Sequence, residues 1–292
     1  MRLELNGAAY HVEVYPRRGG GAGEGPALLL LHGFTGSAGT WRPHLPALAR
    51  WRRCVAPDLL GHGRSEAPAD PARYRLEAAV ADLAALLDRL GIEQVDVLGY
   101  SMGGRLALAL ATEHPGRVGA LILESSSPGI DDPERRARRR AEDEALAALL
   151  EREGIGPFVD RWESLPLFAS QARLPPGVRA ALREQRLAQR PQGLAGSLRG
   201  MGQGVQPPLW DRLGRLQLPV LLVAGELDPG YVELARAMAA RLPDAELRVV
   251  AGAGHAVHLE APGEFTARVV DFLSRKSPLG GMDRGVPVEE GA

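Results

Sequence analysis

The chain carries one cysteine and one lysine in 292 residues, and only 5% of it is aromatic. A lone cysteine, Cys54, forms no internal disulfide and supplies no cysteine-based zinc site. With no disulfide to protect, a reducing compartment is expected, and the cytoplasm is the default. No long uncharged apolar run is present, which excludes a spanning helix, and the charged start Met1-Arg2-Leu3-Glu4-Leu5 does not read as a signal peptide. Charge of either sign is not in excess. The formal net charge of -1 argues against general attraction to nucleic acid or to an anionic membrane. His255 and His258 have the spacing of a metal pair, but no third ligand stands at a useful distance, so neither a metal nor a cofactor is expected. There is no internal repeat, and nothing in the composition calls for more than a monomer.

What is present is an alternation of strand-like and helix-like runs from about residue 3 to 125, resumed from Leu218 to Leu273. This is the βα rhythm of an α/β fold with a mostly parallel central sheet. Residues 128–208 interrupt it. They contain no strand-like run and hold helix-period segments at Pro133 to Glu153, Gly156 to Trp162 and Val178 to Arg190. The reading is a core in two parts, 1–127 and 209–276, with a helical cap at 128–208 and a Gly, Pro and Glu-rich mobile tail at 277–292.

Within the core, Gly99-Tyr100-Ser101-Met102-Gly103 joins the apolar run Val95 to Leu98 to the helix-like run from Arg105. This is the pattern of a nucleophile elbow, whose turn is too tight for a Cβ two residues either side of the serine. Its partners follow in the order acid, then histidine. Asp228 lies just past the buried run Pro219 to Gly225, at the end of a strand where open α/β sheets carry their sites. His255 lies in the Ala253-Gly254-His255 loop after Leu247 to Val250. The catalytic reading is therefore Ser101, Asp228 and His255. Glu226, two residues before Asp228, and Glu124, at the end of Leu121 to Leu123, are rival acids, and Glu124 is the stronger rival. His258 reads as a packed or solvent-facing loop residue. The turn His32-Gly33-Phe34-Thr35-Gly36 is placed to aim the Phe34 N–H at a developing negative charge, opposite the Met102 N–H. His32 reads equally as a loop-ordering or a catalytic group, and His62 as structural.

On these residues the chain resembles the α/β-hydrolases. Its cap region is similar to that of the menaquinone-pathway family of 2-succinyl-6-hydroxy-2,4-cyclohexadiene-1-carboxylate synthases, MenH. The similarity is carried by Glu124 to Ile130, the arginine-rich Glu134 to Asp143, Phe158 through Trp162 to Ser170, and Gly193 to Gly202 running on to Gln206-Pro207. Gln189-Arg190 stands where members of that family often carry paired asparagines. The resemblance implies a lyase that eliminates pyruvate from 2-succinyl-5-enolpyruvyl-6-hydroxy-3-cyclohexene-1-carboxylate. It further implies that Tyr100, Arg105, Arg136, Trp162 and Arg186 line the pocket of a small polycarboxylate. Arginines suit that ligand, because a guanidinium is always charged and captures carboxylates with two parallel hydrogen bonds. The remainder of the run Arg135 to Arg140 reads as a solvated helix face. The alternative is a hydrolase of the same fold acting on an ester, a lactone or a C–C bond.

Overall fold

The computed structural model describes residues 1–18 and 26–276, so the expected tail at 277–292 lies outside them. Eight strands form one sheet: β1 Arg2–Leu5, β2 Ala8–Tyr15, β3 Ala27–Leu31, β4 Cys54–Pro57, β5 Val95–Tyr100, β6 Val118–Glu124, β7 Val220–Gly225 and β8 Ala245–Val250. Their order is β1-β2-β4-β3-β5-β6-β7-β8. β1 and β2 pair antiparallel, as do β2 and β4; every other pairing is parallel. Ten α-helices accompany them: α1 Leu45–Trp51, α2 Leu76–Arg89, α3 Met102–Glu113, α4 Pro133–Glu153, α5 Ile155–Glu163, α6 Pro176–Leu187, α7 Pro191–Met201, α8 Pro229–Ala239, α9 Val257–Glu260 and α10 Pro262–Lys276.

The unbroken leucines of β3 follow from burial on both faces of the sheet. Leu29 and Leu31 enter one core with Leu83 of α2, Leu106 of α3 and Met238 of α8. Leu28 and Leu30 enter the other with Leu48 of α1 and Phe265 and Phe272 of α10. Each such side chain contributes about 1.5–3 kcal/mol when fully removed from water.

Between β6 and β7 the chain leaves the sheet and forms α4 to α7, which pack around Ala147, Leu150, Phe158, Val159, Leu194 and Leu198. Phe34 of the core is packed against this cluster, so the cap sits over the ends of β3 and β5. The periodicity suggested one helix running to Arg190, whereas α6 stops at Leu187 and α7 begins at Pro191. Arg190 is extended because a residue before proline is pushed out of the helical region, and Pro191 then starts a new helix at its first position.

The elbow depends on close backbone approach. A Cβ on Gly103 would stand 2.2 Å from the Leu31 carbonyl oxygen, and one on Gly99 would stand 2.5 Å from the Gly103 oxygen. Gly103→Ala is accordingly expected to cost about 3 kcal/mol, the upper end for overpacking, because the clash is with backbone. Urea unfolding measures this, and an unchanged midpoint would contradict the packing described.

Candidate active site

Ser101 ends the turn between β5 and α3 at φ 50° and ψ -109°, a region sparsely populated by non-glycine residues. Its backbone is held there by the Ser101 N–H donating to the Glu124 carbonyl at 2.8 Å. Thr35 and Ser125, beyond the ends of β3 and β6, also have positive φ, at 65° and 45°. Strain therefore collects at the carboxyl ends of three adjacent strands.

Asp228 follows β7 and caps α8, and His255 lies in the loop after β8. His255 Nδ1 is 2.7 Å from Asp228 Oδ2, and His255 Nε2 is 3.1 Å from Ser101 Oγ. Since the ionised carboxylate only accepts, Nδ1 carries the proton and Nε2 is left to accept from the serine hydroxyl. His255 is buried and Asp228 nearly so.

The rival acids are occupied elsewhere. Glu226 is exposed and accepts from the Gly252 N–H at 2.9 Å. Glu124 is fully buried, and its carboxylate holds His258 rather than His255, through Nδ1 at 2.9 and 3.0 Å and through the His258 N–H at 2.9 Å. His258 is thus buried, not solvent-facing, although it reaches the cleft wall. His32 orders its loop: Nε2 accepts from the Leu59 N–H at 2.9 Å while Nδ1 donates to the Gly33 carbonyl at 2.8 Å. His62 lies against the rings of His32 and Phe34, and burial with His32 beside it pushes its pKa down to about 3. Both histidines are neutral supports of the turn that carries Phe34. Among the described residues, the Phe34 and Met102 N–H groups donate to no protein acceptor. Met102 is the first residue of α3, where an unpaired N–H and the helix dipole favour negative charge.

Ser101 and His255 open into a cleft between core and cap, about 950 Å³ when the open solvent at its mouth is included. Phe34, Met102, Tyr100, Arg105, Trp162 and Arg186 all line it. Arg105 is buried, with Nη1 donating to the Met201 carbonyl at 2.7 Å and to Gln206 Oε1 at 2.6 Å. Among the described residues it has no carboxylate partner, and burial pushes its pKa down to about 10. A guanidinium held this way stays charged at neutral pH, and the nearby Asp143 carboxylate is not in salt-bridge contact with it. Arg186 is shared between Glu163 and Gln171, both at 3.0 Å, and lies over the Phe168 ring. Trp162 serves two purposes, lining the cleft and packing within the cap against Phe34, Phe158 and Phe168.

Arg136 is the exception. It stands in a groove on the other side of α4 with Arg75 and Arg140, away from Ser101, and the arginine of this run that enters the cleft is Arg139. The cause is tertiary: the chain after α7 crosses α4 at Arg140, so close that a Cβ on Gly204 would lie 2.2 Å from the Arg140 nitrogen. That crossing divides the helix face. Arg139 and Asp143 fall on the cleft side, bonded to each other at 2.8 Å, and Arg136 falls outside. Sequence reasoning also missed Tyr231 and Gln203, which line the cleft. For Tyr231 a signal existed, since it stands in the first turn of the helix that Asp228 caps.

Among the described residues, no group of three or more His, Cys, Asp or Glu is arranged to hold a metal ion, and no helix is long and apolar enough to cross a membrane.

A serine in a strained strand-to-helix turn, with acid and histidine following in chain order beneath an inserted cap, defines a class of protein. The chain belongs to the α/β-hydrolase fold family, matched over residues 26–262. Within it, the chain falls among the 2-succinyl-6-hydroxy-2,4-cyclohexadiene-1-carboxylate synthases. It is 33% identical over 254 residues to the synthase of that name from Serratia proteamaculans, covering 87% of this chain and 95% of the other. It is 42% identical over 257 residues to a Bacillus subtilis protein provisionally given the same name, covering 87% and 93%. The structure of MenH from S. aureus superposes with a TM-score of 0.87 at 34% identity, covering 91% of this chain and 98% of that one.

Proposed function

We propose that this protein is a lyase of menaquinone biosynthesis, which eliminates pyruvate from 2-succinyl-5-enolpyruvyl-6-hydroxy-3-cyclohexene-1-carboxylate to give 2-succinyl-6-hydroxy-2,4-cyclohexadiene-1-carboxylate. The family supports the reaction. The observation that carries the substrate class is Arg105, a buried cation beside the elbow with no carboxylate of its own. Residues 128–208 act as the cap that closes this cleft, and the single buried cysteine suits a cytoplasmic enzyme.

In the mechanism, Asp228 orients His255, and His255 Nε2 draws the proton from Ser101 Oγ. The serine oxygen then takes the ring proton next to the succinyl ketone. The electron pair moves through the ring double bond and breaks the bond to the enolpyruvyl oxygen, and the departing enolate takes up the proton held by His255 to become pyruvate, so that the triad is restored and no water is consumed. The Phe34 and Met102 N–H groups stabilise the negative charge that develops, where preorganised donors are most effective. Arg105, Arg139 and Arg186 hold carboxylates, with Tyr100 and Trp162 as the cleft wall.

The test is to incubate the protein with this substrate and follow pyruvate release beside a panel of simple esters. Rapid ester cleavage without pyruvate would replace the lyase with a hydrolase of the same fold.

The arginines give a sharper prediction. Arg105→Ala, Arg139→Ala and Arg186→Ala should each weaken transition-state binding by about 2–5 kcal/mol, read from kcat/KM, because each leaves a desolvated carboxylate unpaired. Arg136→Ala, half-buried but outside the cleft, and Arg138→Ala, exposed on the same run, should change it by about 0–1 kcal/mol. Equal losses in both sets would mean that the cap supplies only a general positive field.

A further inference from the structure

Tyr231 touches His255 and Asp228 directly and reaches the cap arginine Arg139 through Gln203. Its ring lies edge-on to His255 at 4.6 Å between centroids, and its N–H donates to Asp228 Oδ1 at 3.4 Å. Its hydroxyl accepts from Gln203 Nε2 at 2.7 Å, while Gln203 Oε1 accepts from Arg139 Nη1 at 3.2 Å. Those two bonds fix which way the Gln203 amide points, because its oxygen must face the guanidinium and its nitrogen the phenol. Asp143 in turn holds Arg139 Nε at 2.8 Å. A chain of hydrogen bonds therefore runs from α4 to the first turn of α8.

The phenol has one proton. Since Gln203 uses the oxygen as an acceptor, that proton is left to donate, and among the described residues no acceptor receives it. Tyr231 lines the cleft. Burial raises its pKa, which keeps the proton in place as a donor.

We propose that Tyr231 is a substrate-binding and positioning residue whose hydroxyl donates to a substrate carboxylate, aimed by Gln203 and Arg139, while its ring fixes the His255 imidazole. This rests on the cleft taking a polycarboxylate, as in the function proposed above. The two halves of the side chain then have separable effects. The hydroxyl contributes to binding and appears in KM, and the ring contributes to proton transfer and appears in kcat.

Two variants separate them. Tyr231→Phe keeps the ring and loses the donor, and should raise KM roughly tenfold with kcat nearly unchanged, the size expected for a hydrogen bond to a charged group. Tyr231→Leu loses both and should lower kcat as well. Gln203→Leu should reproduce part of the Tyr231→Phe effect, and the double variant should be no worse than Tyr231→Phe alone, because both remove one interaction. Additive losses would overturn the relay. A second readout does not depend on turnover. In the Ser101→Ala protein, titration with 2-succinylbenzoate, an aromatic dicarboxylate shaped like the product, should bind roughly tenfold more weakly when Tyr231→Phe is added. Equal binding with and without the hydroxyl would overturn the assignment even if pyruvate release is observed. Weaker binding in a protein that releases no pyruvate would sustain it while removing the lyase reaction.

Discussion

Ser101→Ala is expected to lower pyruvate release by about a thousandfold, with the fold intact and substrate still bound. The size follows from the role. Ser101 Oγ is the group within 3.1 Å of His255 Nε2, and the α/β turn presents it to the cleft, so its removal leaves the ring proton without a base at the right place. The arginines and amides proposed to bind the substrate are untouched, so KM should change far less than kcat. His255→Ala is expected to be as severe, and the double variant no worse than either single one, because serine and histidine act as one proton-transfer unit. Steady-state pyruvate assays on the three proteins check this. Near-normal turnover of Ser101→Ala would remove the central claim.

Asp228→Asn should be the next most damaging change, lowering kcat by about 10³–10⁴ as in triads of the same geometry. Asp228 Oδ2 accepts the Nδ1 proton at 2.7 Å, which leaves Nε2 free to take a proton from serine. An asparagine amide can present its N–H to Nδ1, which shifts the imidazole proton to Nε2 and disables it as a base. Glu124→Gln is the informative comparison. Glu124 also binds an imidazole from a strand end in this part of the site, but that imidazole is His258, and the amide oxygen of glutamine would still accept one of its two bonds. A loss within about tenfold is expected, the scale of one or two modest hydrogen bonds. If Glu124→Gln proves the worse of the two, the acid has been assigned to the wrong carboxylate.

The comparison of Asp228 with Glu124 also marks how far the sequence could be read. Glu124 ends an apolar strand and Asp228 follows one, and each is followed at long range by a histidine near the end of the core. Chain order favoured Asp228, but the separation of the two carboxylates onto His255 and His258 depends on a three-residue step through Ala256 and Val257. Only the packed loop decides which ring turns toward which strand. His32 is similarly open in the sequence, where His62 reads as structural, and the hydrogen bonds of the folded loop assign both to support of the Phe34 turn.

The sequence by itself determined whatever is local or periodic. Continuous leucines in β3 require a strand buried on both faces, glycines at 99 and 103 require a tight turn about Ser101, and the loss of strand pattern after Glu124 marks an inserted helical segment. Those features follow from bonding and burial within a few residues, so they are written where they act. The tertiary structure alone decided which side of α4 faces the cleft. Arg136 and Arg139 stand three residues apart on one helix and are chemically identical, and the resemblance singles out Arg136 while Arg139 reads as part of a solvated face. The chain returning from α7 lies against α4 at Arg140, with a glycine that permits the contact, and leaves Arg139 with Gln203 and Tyr231 inside the cleft and Arg136 outside it. Helical spacing fixes the angle between two side chains, but not where a segment more than 60 residues away will lie across them.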